Sequence, residues 1–328
     1  MILIITDVSD QSTCDVIDWL KYYHFDFELI TTKDDIELID LSPNGNFCFR
    51  LKNKVIKSGD IWQVWYRRGG VNFRQKKLPV FAGDKTVNLV FEKYLRLENT
   101  GILDFINYTF LPKSLNNQSY STVNKMEVLH KALQVGLTIP NTLLTSCKSS
   151  LNDFLVKNDN KLITKAAIES LILNSQKYRF YAYTTPINNK LLNKYPENIP
   201  LSFFQKQIDK LFEIRTFMLD NRFYSMAIFS QQNSKTKLDF RHYDDEKPNR
   251  NVPFKLPKEI EKKLSNLMKS LNLNSGSIDL IYGKDKQFYF LEINPIGQFG
   301  MTSYPCNYYL EKKIALFLAS KDRLKCNH

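Results

Sequence analysis

The sequence is short of cysteine, histidine and long apolar runs, and each shortage closes off a class of function. Its five cysteines (Cys14, Cys48, Cys147, Cys306 and Cys326) are odd in number, widely scattered and never form a CxxC pair. That pattern suggests neither a disulfide framework nor a zinc site. Four histidines occur (His24, His130, His242 and His328), and no Ser/His/Asp or Cys/His arrangement stands out as a nucleophilic centre. No apolar stretch reaches the roughly 18 residues that cross a bilayer, so no membrane partner is expected. The opening Met1-Ile-Leu-Ile-Ile-Thr-Asp reads as a short strand without a basic n-region or cleavage site. A signal peptide is therefore not expected, and the chain is expected to stay in the cytoplasm. Helix-turn-helix, RNP and zinc-finger patterns are missing too, which argues against nucleic acid as a partner. There is no internal repeat and no low-complexity tract.

What is present is an ordinary globular composition with a basic excess. The 328 residues are 43% hydrophobic and 24% charged, with a formal net charge of +12. That length can bury a sizeable core in two or three lobes. The lysines are spread along the chain, so the charge permits an anionic partner without choosing one. Residues 1–112 alternate strands (1–6, 27–30, 46–51, 60–66) with helices (13–24, 84–107), as a small α/β domain does. Polar residues 112–121 read as a crossing between lobes. A helix from Thr122 or Asn124 should stop at Gly136, with Pro140 just beyond. Short strands and a helix near Leu151–Val156 follow, then strands from Ser202 to Phe240 and a helix over Pro257–Leu271. A closing helix is expected near Cys306–Lys321.

The stretch Ser277–Pro295 reads as a hairpin: a β-branched run, a Gly/Lys/Asp turn, then an aromatic-rich strand ended by proline. Period-2 geometry puts Glu292 and Asn294 on one face of the second strand. With a turn centred on Lys284-Asp285, residue 279 pairs with residue 290, and Asp279 lies diagonally across from Glu292. Three hard oxygen donors then converge among apolar neighbours. Crowded carboxylates repel unless a cation neutralises them, and an oxygen-only set suits Mg²⁺ bound together with phosphates. A solvated polar face on an edge hairpin is the competing reading. Upstream, Lys125 stands at a helix start and Lys165 ends the apolar strand Lys161–Lys165. A charge there is costly unless it meets a partner such as phosphate, although a lysine that snorkels to the surface is the plainer account. Glu213 and Arg215 flank a buried position and point the same way, as a cross-strand ion pair would also do.

In that order, Lys125, Lys165, Gln205-Lys206-Gln207-Ile208, Glu213-Ile214-Arg215, Asp279 and Glu292-Ile293-Asn294 resemble the ATP-grasp ligases. The resemblance runs from about Leu111 to Leu318. It implies an ATP-grasp fold of α/β plus α+β class, with an N-terminal pre-ATP-grasp α/β domain (1–112), a central lobe (113–203) and a C-terminal lobe carrying the metal site (204–328). It further implies that ATP and Mg²⁺ are bound. Lys125 and Lys165 would contact phosphates and the adenine edge, and Gln205–Ile208 would read adenine through the hinge backbone, with Glu213 beside it. Arg215 would steady the γ-phosphate, and Asp279, Glu292 and Asn294 would hold magnesium.

Within that superfamily the chain is similar to the graspetide or microviridin-type maturases, and to the grasp-with-spasm branch in particular. The local signals are Val64-Trp-Tyr-Arg-Arg-Gly69, Leu238-Asp-Phe-Arg-His-Tyr-Asp244 and Glu292–Gly300. The resemblance implies activation of Asp or Glu side chains of an acidic precursor peptide as acyl phosphates. A Thr, Ser or Lys of the same peptide then closes an ω-ester or ω-amide ring. Arg241 would bind the acceptor carboxylate or acyl phosphate, and Arg67, Arg68 and His242 are candidate substrate contacts, with the solvated end of a strand as the plainer reading of the two arginines. The peptide would carry a leader segment, and a homodimer is open to such an enzyme. Two other functions stay open: a ligase that adds free amino acids or joins small molecules, as glutamate-adding and glutathione-type ligases do, and a nucleotide-binding regulator or scaffold. One departure stands out. Ala166–Phe204 contains no glycine, where many ATP-grasp enzymes close a glycine-rich loop over the phosphates.

Overall fold

Ile-Leu-Ile-Ile at 2–5 is too continuously apolar for a strand with one wet face, and it forms the buried centre of a parallel sheet. The computed structural model describes residues 1–71, 73–74, 85–167, 172–174, 179–181, 184–231 and 248–323, with backbone alone at 172–174, 179–181 and 321–323. The chain divides into two units: 1–122 with 298–303 and 309–328, and 123–297 with 304–308.

In the first unit β1 (Ile2–Thr6), α1 (Gln11–Tyr22) and β2 (Phe27–Thr31) lead into an antiparallel meander. Its strands are β3 (Ile36–Leu41), β4 (Phe47–Leu51) and β5 (Lys54–Lys57). Then come β6 (Gln63–Tyr66), the long helix α2 (Lys85–Phe110) and the short β7 (Ser114–Leu115). The parallel sheet runs β2-β1-β6-β7. Meander strands β3 and β5 have no counterpart in the sequence reading, because Ile36–Leu41 carries acidic residues that hide its alternation.

Just past β6 the structure corrects one expectation. Arg67, expected at the surface, is 1% exposed. Its Nε donates to Asp10 Oδ2 at 3.1 Å, and its guanidinium lies over the Trp65 and Phe299 rings, 5.5 and 5.4 Å from their centroids. Burial pushes Arg67 below the usual arginine range, while Asp10 opposes that fall. A group sealed in this way cannot greet a peptide. Arg68, one residue on, is exposed.

The second unit holds two antiparallel sheets. Helix α3 (Lys125–Gln134) starts where the Asn124 side chain accepts the N–H groups of Met126 and Glu127, satisfying two orphan donors of its first turn. It ends before Gly136, whose φ of +78° is the left-handed conformation that glycine adopts freely. The first sheet is built from β8 (Thr142–Cys147), β9 (Leu162–Lys165), β12 (Thr185–Ile187) and β13 (Asn198–Lys206), in the order β12-β9-β13-β8. Helix α4 (Lys148–Lys157) follows β8, a ribbon of β10 (Ile172–Asn174) and β11 (Arg179–Tyr181) follows β9, and α5 (Asn189–Leu192) follows β12. Leu151, Leu155, Leu162, Ile187, Leu192 and Phe204 form the core beneath this sheet.

After Gln207–Asp209 the chain enters the second sheet. Its strands are β14 (Lys210–Leu219), β15 (Arg222–Phe229), β16 (Arg250–Phe254), β17 (Ser275–Gly283) and β18 (Phe288–Asn294), in the order β16-β15-β14-β17-β18, with α6 (Lys258–Ser270) between β16 and β17. Helix α3 packs on β18 and α6. The end of the chain is two helices where one was expected, α7 (Gly300–Cys306) and α8 (Leu310–Arg323); α8 returns to the first unit against α1 and β6.

Candidate active site

Within the second unit an open cleft of about 680 Å³, solvent included, lies between the two sheets. Pro140, Ile163, Ile208, Leu280 and Leu291 supply apolar wall, and Lys165, Gln205, Lys206, Glu213, Asp279 and Glu292 supply the chemistry. Seven expected site residues, Ile208 among them, thus share one cavity.

The hairpin that carries Asp279 and Glu292 reaches this arrangement by a different register from the expected one. Near the turn Leu280 pairs with Phe290, one residue out of step with the prediction, which by itself would set Asp279 opposite Leu291. A β-bulge at Leu291 then shifts the ladder by one more residue, and Asp279 stands directly across from Glu292. Two departures cancel, so the carboxylates share a face after all. Asn294 pairs with Ser277 two residues on, is exposed, and its Oδ1 accepts the Ile296 N–H at 3.1 Å.

A second bulge works on β14. Residues 210 and 213 of a regular strand face opposite ways, but the register shifts between Lys210 and Phe212. Lys210 therefore reaches the same face as Glu213 and forms a buried ion pair with it. Glu213 also accepts from the Ser230 hydroxyl at 3.3 Å. Neither Lys210 nor Ser230 was foreseen: the strand period points Lys210 elsewhere, and Ser230 lies just past the end of β15.

Each carboxylate of the hairpin already has cations beside it. Arg215 Nη1 lies 3.2 Å from both oxygens of Asp279. Lys125 and Lys165 converge on Glu292 Oε2 at 3.3 and 3.8 Å. Both ammonium groups also sit over the Phe203 ring, 5.8 and 5.7 Å from its centroid, and Lys125 donates to the Ala166 carbonyl at 2.9 Å. Phe203 is a further residue that sequence reasoning missed; it reads as plain core, and its ring fixes where the lysines stand. The cross-strand ion pair considered for Arg215 is present, with Asp279 on the neighbouring strand as its partner. The Arg215 Nε–H, buried, has no acceptor among the described residues.

This donor set fits a hard divalent cation that shares its coordination with phosphate. Mg²⁺ is held by one or two carboxylates while substrate oxygens and water complete the octahedron. Asp279 and Glu292 supply that pair from opposing strands. Among the described residues no group of three or more His, Cys, Asp or Glu side chains could hold a metal alone.

At the hinge, Lys206 N–H donates to the Asn141 carbonyl at 2.8 Å and Gln207 N–H to the Lys161 carbonyl at 2.9 Å. These two amides are committed to structure. Lys206 and Ile208 line the cleft, whereas Gln207 does not. Arg241 and His242 lie outside the described residues.

No protein-family profile matches the chain, and no curated relative matches it by sequence. Solved structures do. The macrocyclase MdnC of Microcystis aeruginosa MRC, bound with precursor peptide MdnA, is 24% identical over 97% of this chain and 99% of its own, with a TM-score of 0.73. A RiPP-associated ATP-grasp ligase of Chryseobacterium gregarium, in complex with ADP and a leader and core peptide, is 23% identical over 98% and 96%, with a TM-score of 0.75. The ATP-grasp ligase PsnB, complexed with a phosphomimetic variant of a minimal precursor, Mg and ADP, is 15% identical over 98% of both chains, with a TM-score of 0.71. Over nearly its whole length, then, this chain has the fold of the ATP-grasp ligases.

Proposed function

We propose that the protein is an ATP-dependent ligase that activates Asp or Glu side chains of a precursor peptide and joins them to hydroxyl or amine groups of the same peptide. The observation that carries this reading is the convergence of Lys125, Lys165 and Arg215 on Glu292 and Asp279, two carboxylates that line a cleft whose hinge presents Gln205 and Ile208. The Lys206 carbonyl and the Ile208 N–H then read adenine. Likeness in fold to ligases solved with precursor peptides narrows the acceptor to a peptide.

The chemistry asks for positioning and charge stabilisation and for no protein nucleophile. A peptide carboxylate attacks the γ-phosphorus of ATP, the bond to the β-phosphate oxygen breaks, and ADP leaves. The acyl phosphate is attacked at its carbonyl carbon by a Thr or Ser hydroxyl or a Lys amine. Phosphate departs with the bonding pair, and the nucleophile gives up its proton. Lys125 and Lys165 hold the phosphates, and the unsatisfied Arg215 Nε–H meets an equatorial oxygen of the transferring group. Asp279 and Glu292, with Asn294 at the rim, would hold Mg²⁺, which would offset the charge on the phosphates.

The test incubates the purified protein with ATP, Mg²⁺ and acidic peptides containing Thr, Ser or Lys, then weighs the products. Loss of one water mass per ring with release of ADP is expected. A gain in mass with free amino acids present would assign a different ligase reaction, and no ADP release with any carboxylate peptide would overturn ligation altogether. The partner we infer is acidic and carries a leader segment: a net charge of +12, with Arg68 exposed, attracts such a peptide at long range, and salt weakens the attraction. The setting is cytoplasmic, where ATP is supplied. A second copy of the chain is the proposed partner of α2, which exposes Val87, Val90, Phe91, Tyr94 and Leu97 at helical spacing. Light scattering should give a dimer for the native chain and a monomer for Phe91→Asp.

A further inference from the structure

We infer that Thr142 selects the nucleobase by fixing the side-chain amide of Gln205, so that the cleft takes a purine with an exocyclic amine and rejects its 6-oxo counterpart. The inference rests on the ATP-cleft reading above and goes beyond it, because Thr142 is not among the residues that line the cleft.

The argument is one of proton direction. Thr142 and Gln205 face each other across the β8–β13 ladder. The Thr142 hydroxyl donates to the Pro140 carbonyl at 2.8 Å, and a carbonyl can only accept. With its proton so placed, Thr142 Oγ1 offers only lone pairs to its other neighbour. Gln205 must therefore turn its NH₂ group towards Thr142, and Nε2 donates to Oγ1 at 3.0 Å. Reversing the amide would set acceptor against acceptor, or would break the bond to Pro140. Proline at 140 lines the cleft and anchors the relay.

The consequence falls on the other end of the amide. Gln205 is 1% exposed, and its Oε1 has no hydrogen-bond partner among the described residues. A buried acceptor left so is costly unless a ligand supplies the proton. The exocyclic amine of adenine supplies it. Hypoxanthine and guanine carry an oxygen at that position, which would face Oε1 as acceptor against acceptor. A relay locked at Pro140 cannot adapt by turning the amide over. Thr142 is thus a positioning residue for base choice, acting through Gln205.

The test is calorimetric binding of ATP and of inosine triphosphate, each with Mg²⁺, to the full-length protein. Inosine triphosphate changes position 6 without adding the 2-amino group of guanine. The native protein should prefer ATP by about a hundredfold, the order set by leaving one buried acceptor without its proton. Thr142→Val, which can neither donate nor accept, should cut that preference by about tenfold, weakening ATP while leaving or improving the inosine nucleotide. Thr142→Ser should keep the native ratio, since it keeps the relay. Thr142→Ala replaces the valine variant if the latter does not fold. An unchanged ratio in a folded valine or alanine variant, or equal weakening of both nucleotides, would overturn the inference alone. A native protein that binds neither nucleotide would overturn the proposed function and this inference with it.

Discussion

Two arginine–aspartate pairs set the units of this chain apart. Arg67 and Asp10, in the first unit, are 2% and 3% exposed at their side chains, with aromatic rings over the guanidinium. Arg215 and Asp279, in the second, are 9% and 18% exposed, and Asp279 lines a cleft. The chemistry of the two pairs is the same. A sealed pair has no competitor for either charge and serves to hold β6 to the start of α1. A pair at a cleft can exchange its partner for a phosphate and a metal ion. Degree of burial, and not residue type, sets the two arginines apart.

The sharpest way to break that comparison is to remove the charge at each site in turn. Asp279→Asn should lower ADP release with an acceptor peptide by ~10³-fold or more, the order seen when one charge-stabilising group is lost. The variant should still fold, because asparagine keeps the shape of the side chain and an oxygen that accepts from Arg215. Retained turnover would mean that the hairpin is no metal site. Arg67→Met should do the opposite. It leaves Asp10 buried and unpaired, and removing one partner of a buried pair costs ~3–5 kcal/mol. Urea unfolding should show that loss, while Arg67→Met with Asp10→Leu should recover much of it. A stable Arg67→Met protein with impaired peptide binding would return Arg67 to the substrate role expected from the sequence.

Much of the site was legible because its chemistry sits on strands whose period is fixed. Lys165, Gln205, Glu213, Asp279 and Glu292 were all expected together, and they line one cleft. The bulges were illegible. Nothing in Phe288–Asn294 marks Leu291 as the extra residue, and the expected pairing reached the right face through two compensating errors. Lys210 was missed for the same reason, since period-2 counting turns it away from Glu213. Arg67 failed differently. Val64-Trp-Tyr-Arg-Arg looks like a strand that ends in water, and only the three-dimensional arrival of Asp10 and Phe299 shows which arginine is enclosed. Long-range enclosure is not a property of a local window.

A smaller effect sharpens the open side of the comparison. If Lys125 and Lys165 are shared between Glu292 and incoming phosphates, then Glu292 competes with nucleotide when no metal is present. Glu292→Gln should therefore bind ATP in excess EDTA about tenfold more tightly than the native protein, equivalent to ~1.4 kcal/mol. The same substitution should abolish turnover with Mg²⁺. A variant that loses both would show that Glu292 holds the lysines in place and does not restrain them.

The least of the expected effects tests the sealed side through acid. Burial pushes the Asp10 carboxyl up, but Arg67 and the Thr13 hydroxyl, which donates to Oδ2 at 2.7 Å, more than reverse this and hold it below the ordinary range. A carboxyl whose folded pKa is depressed binds its proton more readily in the unfolded chain, whose value is about 3.9. The pair's stabilisation is therefore complete above that value and is lost as pH falls through the folded pKa. Urea midpoints of the native protein and of Asp10→Asn should differ by a constant amount from pH 7 to about pH 5, and the gap should narrow as the pH falls below the unfolded value. The charge on Arg67 does not change over this range, so the closing reports Asp10 alone. A gap that widens in acid would mean that the carboxyl is protonated in the folded protein, and that the enclosed pair is held by its rings and hydrogen bonds rather than by charge.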